Sequence, residues 1–236
     1  MTMPIALSFD LDNTLWDVDS IIIAAERLLQ EWMRNNVPEA LEHYKADNLA
    51  NIRSQLVTQH PSMVHDLSFM RLQVLTEVML QTGLDKKNAQ SCAQTAFDIF
   101  FEARNNVVFY EGALEVLTLL SEQYTLFALT NGNADIHRAG VGHLFQGALS
   151  SADVGAKKPD PKIFQALVDQ HQLDHHTVIH IGDSLVDDIE GANNAGFKSL
   201  WVNLAGHNRQ NDQAQPHAEV NHLKQLPDAI EKLTTH

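Results

Sequence analysis

The amino-acid sequence predicts an α/β fold, a doubly wound parallel sheet with a helical bundle inserted into it. Short apolar runs that suit buried parallel strands recur along the chain, and several of them end at a polar turn. From about residue 109 onward, these runs alternate with helical patterns. Residues 18–108 differ, because long amphipathic stretches replace the strand-like runs there. These three observations predict a sheet core and an inserted helical module.

The sheet core is predicted at residues 1–17 and 109–236. Its apolar runs predict strands at residues 5–9, 125–129, 147–150, 177–181 and 199–202. Its periodic apolar positions predict helices at residues 112–122, 162–170 and 227–233. The polar stretch 208–217 is expected to be a loop. Strands that alternate with helices form a parallel sheet, and open parallel sheets bind ligands at the carboxyl ends of their strands.

The helical module is predicted at residues 18–108. Its amphipathic stretches, which indicate about four helices, include residues 21–35, 67–82 and 89–103. Methionine and aromatic side chains in these helices are expected to form their core. Because the module follows the first strand, we expect it to lie over the carboxyl ends of the sheet.

The charge balance argues against two classes of partner. The chain has 16 Lys and Arg against 30 Asp and Glu, a net charge of −14. Nucleic acids and anionic membranes both require a positive surface, so neither is expected, whereas a small phosphorylated metabolite remains compatible. Cys92 is the single cysteine, so an internal disulfide is excluded. With a start that lacks the pattern of a signal peptide, this predicts a cytoplasmic protein, a monomer or a weak homo-oligomer.

Two acids, Asp10 and Asp12, follow the first predicted strand within the sequence Asp-Leu-Asp-Asn-Thr. In an extended segment, side chains two residues apart point to the same side. Such a pair could bind a divalent cation, and one acid could act as the nucleophile while the other transfers protons. A turn is the alternative, because Asp and Asn favour turns. Two acids at the end of a buried run are costly without a counter-ion, which favours the functional interpretation.

Two further clusters could bind an anion. Thr130, Asn131 and Gly132 supply a hydroxyl, an amide and a backbone N–H that can approach a phosphate closely, although Asn-Gly is also a common turn. Lys157 and Lys158 precede a rigid proline turn that leads into a helix. A fixed ammonium there could neutralise a nucleophile and phosphoryl oxygens, and an ordinary surface loop is the alternative.

The fourth cluster places Asp183 at a strand end, with Asp187 and Asp188 about one helical turn later. Asp183 could complete a metal site, and one of the later acids could hold the metal ligands or the lysine. An N-cap with acids in the first turn is the alternative, and both interpretations can hold together.

The histidines are given no role. The spacing of His171, His175, His176 and His180 matches no zinc site. A solvated helix face with the adjoining loop is the preferred interpretation of this group.

In this order, the four polar clusters resemble the motifs of the haloacid dehalogenase superfamily over about residues 5–203. The resemblance implies a Rossmann-like core, an insertion of the four-helix (C1) cap type and Mg²⁺ as the cofactor. Asp10 would be the nucleophile and a metal ligand, and Asp12 the general acid/base whose backbone carbonyl also binds the metal. Lys158 would neutralise charge, and Asp183 would be a further metal ligand. The phosphoryl group would be bound by Thr130, Asn131 and Gly132.

The resemblance also implies supporting residues and a reaction. Asp188 fits the last motif and is preferred as the acid behind the metal ligands, while the adjacent Asp187 stays a candidate and Thr14 is a further supporting residue. Dehalogenases of the superfamily lack an acid two residues after the nucleophile. Because Asp12 is present, the resemblance favours a phosphatase that forms an aspartyl-phosphate.

Residues 69–71 and 130–134 look most like the flavin-metabolism branch of the superfamily. This implies flavin mononucleotide or 5-amino-6-(5-phosphoribitylamino)uracil as the substrate. Arg71 could contact a substrate phosphate or polar group, and a solvated position on its helix is the alternative. Three other functions stay open: a nucleoside 5′-monophosphatase, a sugar-phosphate mutase and a non-catalytic phosphate-binding regulatory protein.

Overall fold

A computed structural model of the chain describes residues 5–235. The chain divides into two compact units, Met1–Asp17 with Val107–His236, and Val18–Asn106. We call the first the sheet unit and the second the helical unit. The chain returns from the helical unit to the sheet unit after residue 106, two residues earlier than the sequence predicts. The reason is that Asn106 already caps the last helix of the helical unit.

The helical unit consists of five helices in the described part of the chain, four of which are longer than ten residues. They are α1 (Val18–Asn36), α2 (Ala40–His43), α3 (Ala46–Gln59), α4 (Leu67–Gln81) and α5 (Lys86–Asn105). Asp66 and Asp85 begin α4 and α5 by accepting hydrogen bonds from backbone N–H groups of the first turn, as N-caps do. Their apolar faces share one core that includes Met33, Met79 and Phe100. These three methionine and aromatic side chains therefore pack as core.

The sheet unit contains six parallel strands within residues 5–235, in the spatial order β3-β2-β1-β4-β5-β6. They are β1 (Ala6–Phe9), β2 (Thr125–Thr130), β3 (Gly147–Ser150), β4 (Val178–Gly182), β5 (Lys198–Val202) and β6 (Ala218–Val220). In the central register, Phe9 of β1 pairs with Ala128 on one side and Ile181 on the other. This is the strand order of the Rossmann fold, so the predicted doubly wound sheet is confirmed. The order reverses between β1 and β4, where such sheets bind ligands.

Helices connect the strands and cover the sheet. They are α6 (Ala113–Ser121), α7 (Ser151–Val154), α8 (Pro161–His171), α9 (Gly191–Asn194) and α10 (Leu226–Thr234), with a π-helical segment at Leu185–Glu190. Apolar residues of α8, such as Phe164 and Leu167, pack with Phe127 of the sheet. Within residues 5–235, no helix is both long enough and apolar enough to cross a lipid bilayer.

Strand β6 is absent from the sequence-based expectation. It has three residues, of which only Val220 is buried, so it is too short to show an apolar run or a recognisable alternation. Its place is set by pairing with the edge of β5, where Val202 lies opposite Val220.

A short backbone contact joins the two places where the chain leaves and re-enters the sheet unit. Trp16 and Phe109 form an isolated antiparallel bridge, and the backbone N–H of Tyr110 donates to the carbonyl of Leu15 at 2.9 Å. The Trp16 and Phe109 rings meet edge to face, with their centroids 5.3 Å apart. The chain is therefore anchored to the sheet unit both where it leaves that unit and where it returns to it.

Candidate active site

The predicted polar clusters come together at the carboxyl ends of β1, β2 and β4. Parallel strands end at the same edge of a sheet, so residues that follow different strands become neighbours there. The loop before α8 contributes one more side chain from the same side. The resulting cavity is lined by Asp10, Asp12, Asn13, Thr130, Asn131, Gly132, Lys158, Asp183, Ser184, Asp187 and Asp188.

Lys158 lies at the centre of this group, with only 1% of its side chain exposed. Its Nζ donates to Asp10 Oδ1 at 2.6 Å, to Asp188 Oδ1 at 2.7 Å and to the carbonyl of Leu129 at 2.7 Å. Burial by itself would lower the pKa of Lys158, but the carboxylates of Asp10 and Asp188 outweigh it and raise the pKa. The ammonium is therefore charged and fixed against the Asp10 carboxylate.

Asp188 holds Lys158 from the other side. Its Oδ1 also faces His180 Nε2 at 3.0 Å, and its Oδ2 accepts the backbone N–H of Ser184 at 2.9 Å. Burial opposes ionisation, but Lys158 and His180 together lower the pKa of Asp188 below its usual range. Gly182 permits this approach, because a Cβ there would lie 2.2 Å from Asp188 Cγ.

The two acids left open by the sequence occupy different places. Asp187 is partly exposed, and its Oδ2 accepts a hydrogen bond from Asn131 Nδ2 at 3.2 Å. Asp188, rather than Asp187, contacts Lys158. The N-cap interpretation also holds, since Ser184 Oγ accepts from the backbone N–H of Asp187 at the start of the π-helical segment.

His180 is a functional residue that the sequence-based interpretation missed. It was assigned to a solvated surface, but its side chain is fully buried on β4. Its Nδ1 faces Ser8 Oγ at 2.9 Å while its Nε2 faces Asp188, so the ring joins β1 to the polar group. Burial lowers the pKa of His180. The available signal was its position inside the apolar run that ends at Asp183.

The other three histidines of that group lie outside the cavity. His171 packs against the ring of Phe127, with centroids 4.3 Å apart, and His175 Nδ1 lies 2.9 Å from the carbonyl of Ala195. His176 is exposed. Of the four, only His180 therefore belongs to the site.

Asp10, Asp183 and Asp188 bring carboxylate oxygens to within 4.8 Å of one another. Thr14 Oγ1 bridges two of these acids, at 3.1 Å from Asp10 Oδ2 and 3.0 Å from Asp183 Oδ1. Burial is the main cause that raises the pKa of Asp10 to about 8, and Asp188 and Asp183 add to it against the opposing effect of Lys158. Burial and Asp188 likewise raise the pKa of Asp183 to about 6.

These pKa values describe a group with surplus negative charge. Among its described members, three carboxylates face one ammonium, and Asp188 uses its two oxygens to hold Lys158, His180 and the N–H of Ser184. Asp10 Oδ2 and Asp183 Oδ1 share the hydroxyl of Thr14, and hard oxygen donors of this kind are the ligands that Mg²⁺ prefers. The donor set therefore fits a divalent cation at Asp10 and Asp183.

Asp12 lies in a tight loop after β1 rather than in a continuing extended segment. Its Oδ1 accepts a hydrogen bond from Trp16 Nε1 at 2.8 Å, so its side chain is not part of the three-carboxylate group. Asn13 takes a left-handed conformation with φ of 61°, and its N–H donates to the Trp16 carbonyl at 2.8 Å. The turn interpretation thus describes this segment, and a role of Asp12 in proton transfer stays a prediction. Metal binding by the Asp12 carbonyl stays a prediction.

Asn131 and Gly132 take part in internal hydrogen bonds. Asn131 Oδ1 accepts the backbone N–H of Lys158 at 2.7 Å, and its Nδ2 donates to the Lys158 carbonyl at 3.0 Å. Gly132 N–H donates to Thr130 Oγ1 at 2.9 Å. Asn131 therefore fixes the loop that presents Lys158, while binding of an anion by these three residues stays a prediction.

Arg71 lies in the helical unit and is not the solvated side chain that was weighed as the alternative. Only 20% of it is exposed, and its Nη1 donates to Glu26 Oε1 at 2.5 Å. The guanidinium carbon lies 3.5 Å from the centroid of the Phe100 ring. Tyr44 Oη donates to the other oxygen of Glu26 at 2.8 Å, and burial, with Glu26, raises the pKa of Tyr44. Contact of Arg71 with a substrate stays a prediction.

Comparisons with known proteins agree with this geometry. The chain is 27% identical over 228 residues to 5-amino-6-(5-phospho-D-ribitylamino)uracil phosphatase YigB of Escherichia coli (strain K12), with 95% of each chain covered. It is 28% identical over 235 residues to pyrimidine 5′-nucleotidase PynA of Streptococcus pneumoniae, which covers 96% of this chain and 94% of that one.

Among solved structures, a 2-haloacid dehalogenase from Pseudomonas syringae pv. Tomato DC3000 superposes with a TM-score of 0.92 at 35% sequence identity. It covers 98% of this chain and 99% of its own. The model of the haloacid dehalogenase-like hydrolases matches residues 6–196, which include Asp10, Lys158 and Asp188. Since this match spans most of the sequence and the whole polar group, the chain belongs to the haloacid dehalogenase-like hydrolase family.

Proposed function

We propose that the protein is a Mg²⁺-dependent phosphatase that hydrolyses a small-molecule phosphate monoester through an aspartyl-phosphate on Asp10. One observation carries the proposal. The Asp10 carboxylate is fixed by Lys158 at 2.6 Å within a group of acids that has surplus negative charge and in which the pKa values of Asp10 and Asp183 are raised. A bound cation would remove that surplus and leave an ionised nucleophile beside a positive charge.

In the first step, a carboxylate oxygen of Asp10 attacks phosphorus and the bond from phosphorus to the ester oxygen breaks. Asp12 donates a proton to that oxygen, so the product leaves as an alcohol. Lys158 and the Thr130 hydroxyl stabilise the charge on the remaining phosphoryl oxygens. When bound, Mg²⁺ supplies further charge neutralisation at these oxygens.

In the second step, water attacks the phosphorus of the aspartyl-phosphate and gives a proton to Asp12. The bond between phosphorus and the Asp10 oxygen breaks, and inorganic phosphate is released. Asp10 returns as a carboxylate and Asp12 as an acid, so both residues are ready for another turnover.

The structural similarity to a 2-haloacid dehalogenase makes carbon–halogen cleavage the second candidate. A halide leaves as a stable anion and needs no proton, so an acid at Asp12 would have no role in its departure. Ester cleavage does require that proton, because an alkoxide is a poor leaving group. The group of three carboxylates also favours chemistry that uses a cation. Both points favour phosphate release.

For the substrate, we propose a primary phosphate ester at the end of a five-carbon chain. Two relatives are named for action on a 5-phosphoribityl compound and on 5′-nucleotides, which share this group. Flavin mononucleotide and 5-amino-6-(5-phosphoribitylamino)uracil come first, and nucleoside 5′-monophosphates second. No nucleic acid or membrane partner is proposed, given the net charge of −14.

A panel of phosphate esters and 2-haloacids, with and without Mg²⁺, tests these functions together. We expect Mg²⁺-dependent phosphate release, and Asp10→Asn should reduce it by at least about 10³-fold while the circular dichroism spectrum stays unchanged. Asp169→Asn, an exposed change on α8, is the matched control. Near-normal turnover of Asp10→Asn would disprove the nucleophile assignment.

The other products identify the alternatives. Halide release without phosphate release would establish the dehalogenase. An isomerised sugar phosphate would establish a mutase. Binding of Mg²⁺ and phosphate without turnover of any panel member would establish a non-catalytic phosphate-binding protein.

A further inference from the structure

Trp16 lies beside the proposed proton-transfer group and has no assigned role. Its side chain is 0% exposed, and its indole Nε1 donates to Asp12 Oδ1 at 2.8 Å. A buried indole N–H requires an acceptor, and here the acceptor is a carboxyl oxygen of a residue that lines the site cavity.

The indole is held on several sides. The indole ring meets Phe109 edge to face, and the backbone carbonyl of Trp16 accepts a hydrogen bond from the N–H of Asn13 at 2.8 Å. The N–H of Leu15 donates to the carbonyl of Leu11 at 2.8 Å, which closes the loop around Asp12. A donor fixed by packing and backbone hydrogen bonds imposes its geometry on the carboxylate, rather than following it.

We propose that Trp16 is a positioning residue that holds the Asp12 carboxylate in the orientation needed to protonate the leaving oxygen. With Oδ1 accepting the indole N–H, the proton moves to the leaving oxygen from Oδ2. The inference rests on the proposed phosphatase activity and adds a residue to it. A merely structural tryptophan would affect all substrates alike, whereas a positioning role affects those that need the proton.

Two esters separate these roles. p-Nitrophenolate leaves without a proton, whereas a primary alkoxide requires one. The ratio kcat/KM reports the steps up to departure of the leaving group, so later hydrolysis of the aspartyl-phosphate does not enter it. The test compares kcat/KM for p-nitrophenyl phosphate with that for a primary alkyl phosphate that the wild-type protein hydrolyses.

Trp16→Phe removes the N–H and keeps an aromatic ring against Phe109. We expect kcat/KM to fall about tenfold or more for the alkyl phosphate and by less than about threefold for p-nitrophenyl phosphate. Trp16→His, which offers a ring N–H, should recover part of the difference. If Trp16→Phe does not fold, Trp16→Met is the substitute, because methionine fills irregular space.

Trp201→Phe is the matched control. Trp201 is also buried, and its indole donates to the backbone carbonyl of Asp183 at 2.8 Å, so the same atoms are removed beside a different strand end. Any loss should be equal for the two esters. Equal losses in Trp16→Phe, or none, would overturn the inference. Absence of phosphate release from wild-type protein would instead overturn the proposed function.

Discussion

The sheet unit contains a buried ion pair and the helical unit a partly buried one, and the two pairs differ in how their charges balance. In the sheet unit, Lys158 faces the carboxylates of Asp10 and Asp188, and Asp183 lies beside them. In the helical unit, Arg71 faces Glu26, which also accepts the hydroxyl of Tyr44.

The balance of charge distinguishes a group that could bind a ligand from one that stabilises the structure. The pair in the helical unit is closed, since one cation faces one carboxylate and the guanidinium is stacked on the Phe100 ring. The group in the sheet unit is open, because burial, with Asp188 and Asp183, raises the pKa of Asp10 to about 8 against the opposing effect of Lys158. Such an unfavourable arrangement is typical of a site where a bound ligand compensates it.

After Asp10→Asn, Asp188→Asn should give the largest effect, because it removes the carboxylate that fixes Lys158. We expect turnover to fall about 10–100-fold with little change in KM, since the lysine is no longer held against Asp10. Steady-state phosphate release measures this. Asp187→Asn is the neighbouring control and should cost less than about fivefold. A larger loss of turnover in Asp187→Asn than in Asp188→Asn would mean that Asp187, rather than Asp188, is the acid that supports Lys158.

Magnesium should stabilise the sheet unit in a pH-dependent way. Asp10 and Asp183 have folded-state pKa values of about 8 and 6, above the ordinary 3.8, so the folded protein keeps protons that the unfolded chain releases. The contribution of these two groups to the unfolding free energy therefore decreases as the pH rises from about 4 to 8. Mg²⁺ replaces the protons, so its stabilisation should grow across the same window.

The measurement is the difference in Tm with and without Mg²⁺ at constant ionic strength. At a concentration about 100 times the Kd, binding contributes about 2.7 kcal/mol. We expect the Tm increase to be small near pH 5 and largest near pH 8, and to be reduced in Asp183→Asn. A Tm increase that is independent of pH would mean that the cation binds elsewhere.

Arg71→Met should give the smallest effect on activity and a clear one on stability. Removing Arg71 leaves the Glu26 carboxylate part-buried without its cation, which should cost about 1–3 kcal/mol of unfolding free energy. Adding Glu26→Gln should recover part of that loss. We expect turnover and KM to stay within about threefold of wild type. A tenfold rise in KM at unchanged stability would make Arg71 a substrate contact and end the contrast between the two pairs.

The sheet and its strand-end residues are predictable from sequence because both depend on local pattern. Apolar runs mark the buried strands, and Asp10, Thr130 and Asp183 lie at or just after their ends. Parallel topology then brings these ends together without further information. The same reasoning fails for β6, whose three residues form a strand only because the edge of β5 is available.

The residues that support the site are harder to predict, because their partners depend on side-chain direction. His180 reads as one of many histidines until β4 is known to be buried on both faces and to lie beside Ser8 of β1. Trp16 lies only four residues from Asp12, but the two meet because Asn13 turns the chain in a left-handed conformation. The direction in which the side chain of His180 or of Trp16 points leaves no periodic pattern in the sequence.

The bridge between Trp16 and Phe109 has a consequence for the design of variants. Residues that pair across an antiparallel bridge lie about 5 Å apart, so the chain leaves and rejoins the sheet unit through neighbouring positions. Domain insertions are tolerated where the two ends of the host chain lie close together, and here the flanking backbone keeps its own hydrogen bonds. Residues 18–106 could thus be replaced by a short glycine linker from Asp17 to Val107, which would yield a single-domain scaffold that retains the Asp10 and Lys158 pair.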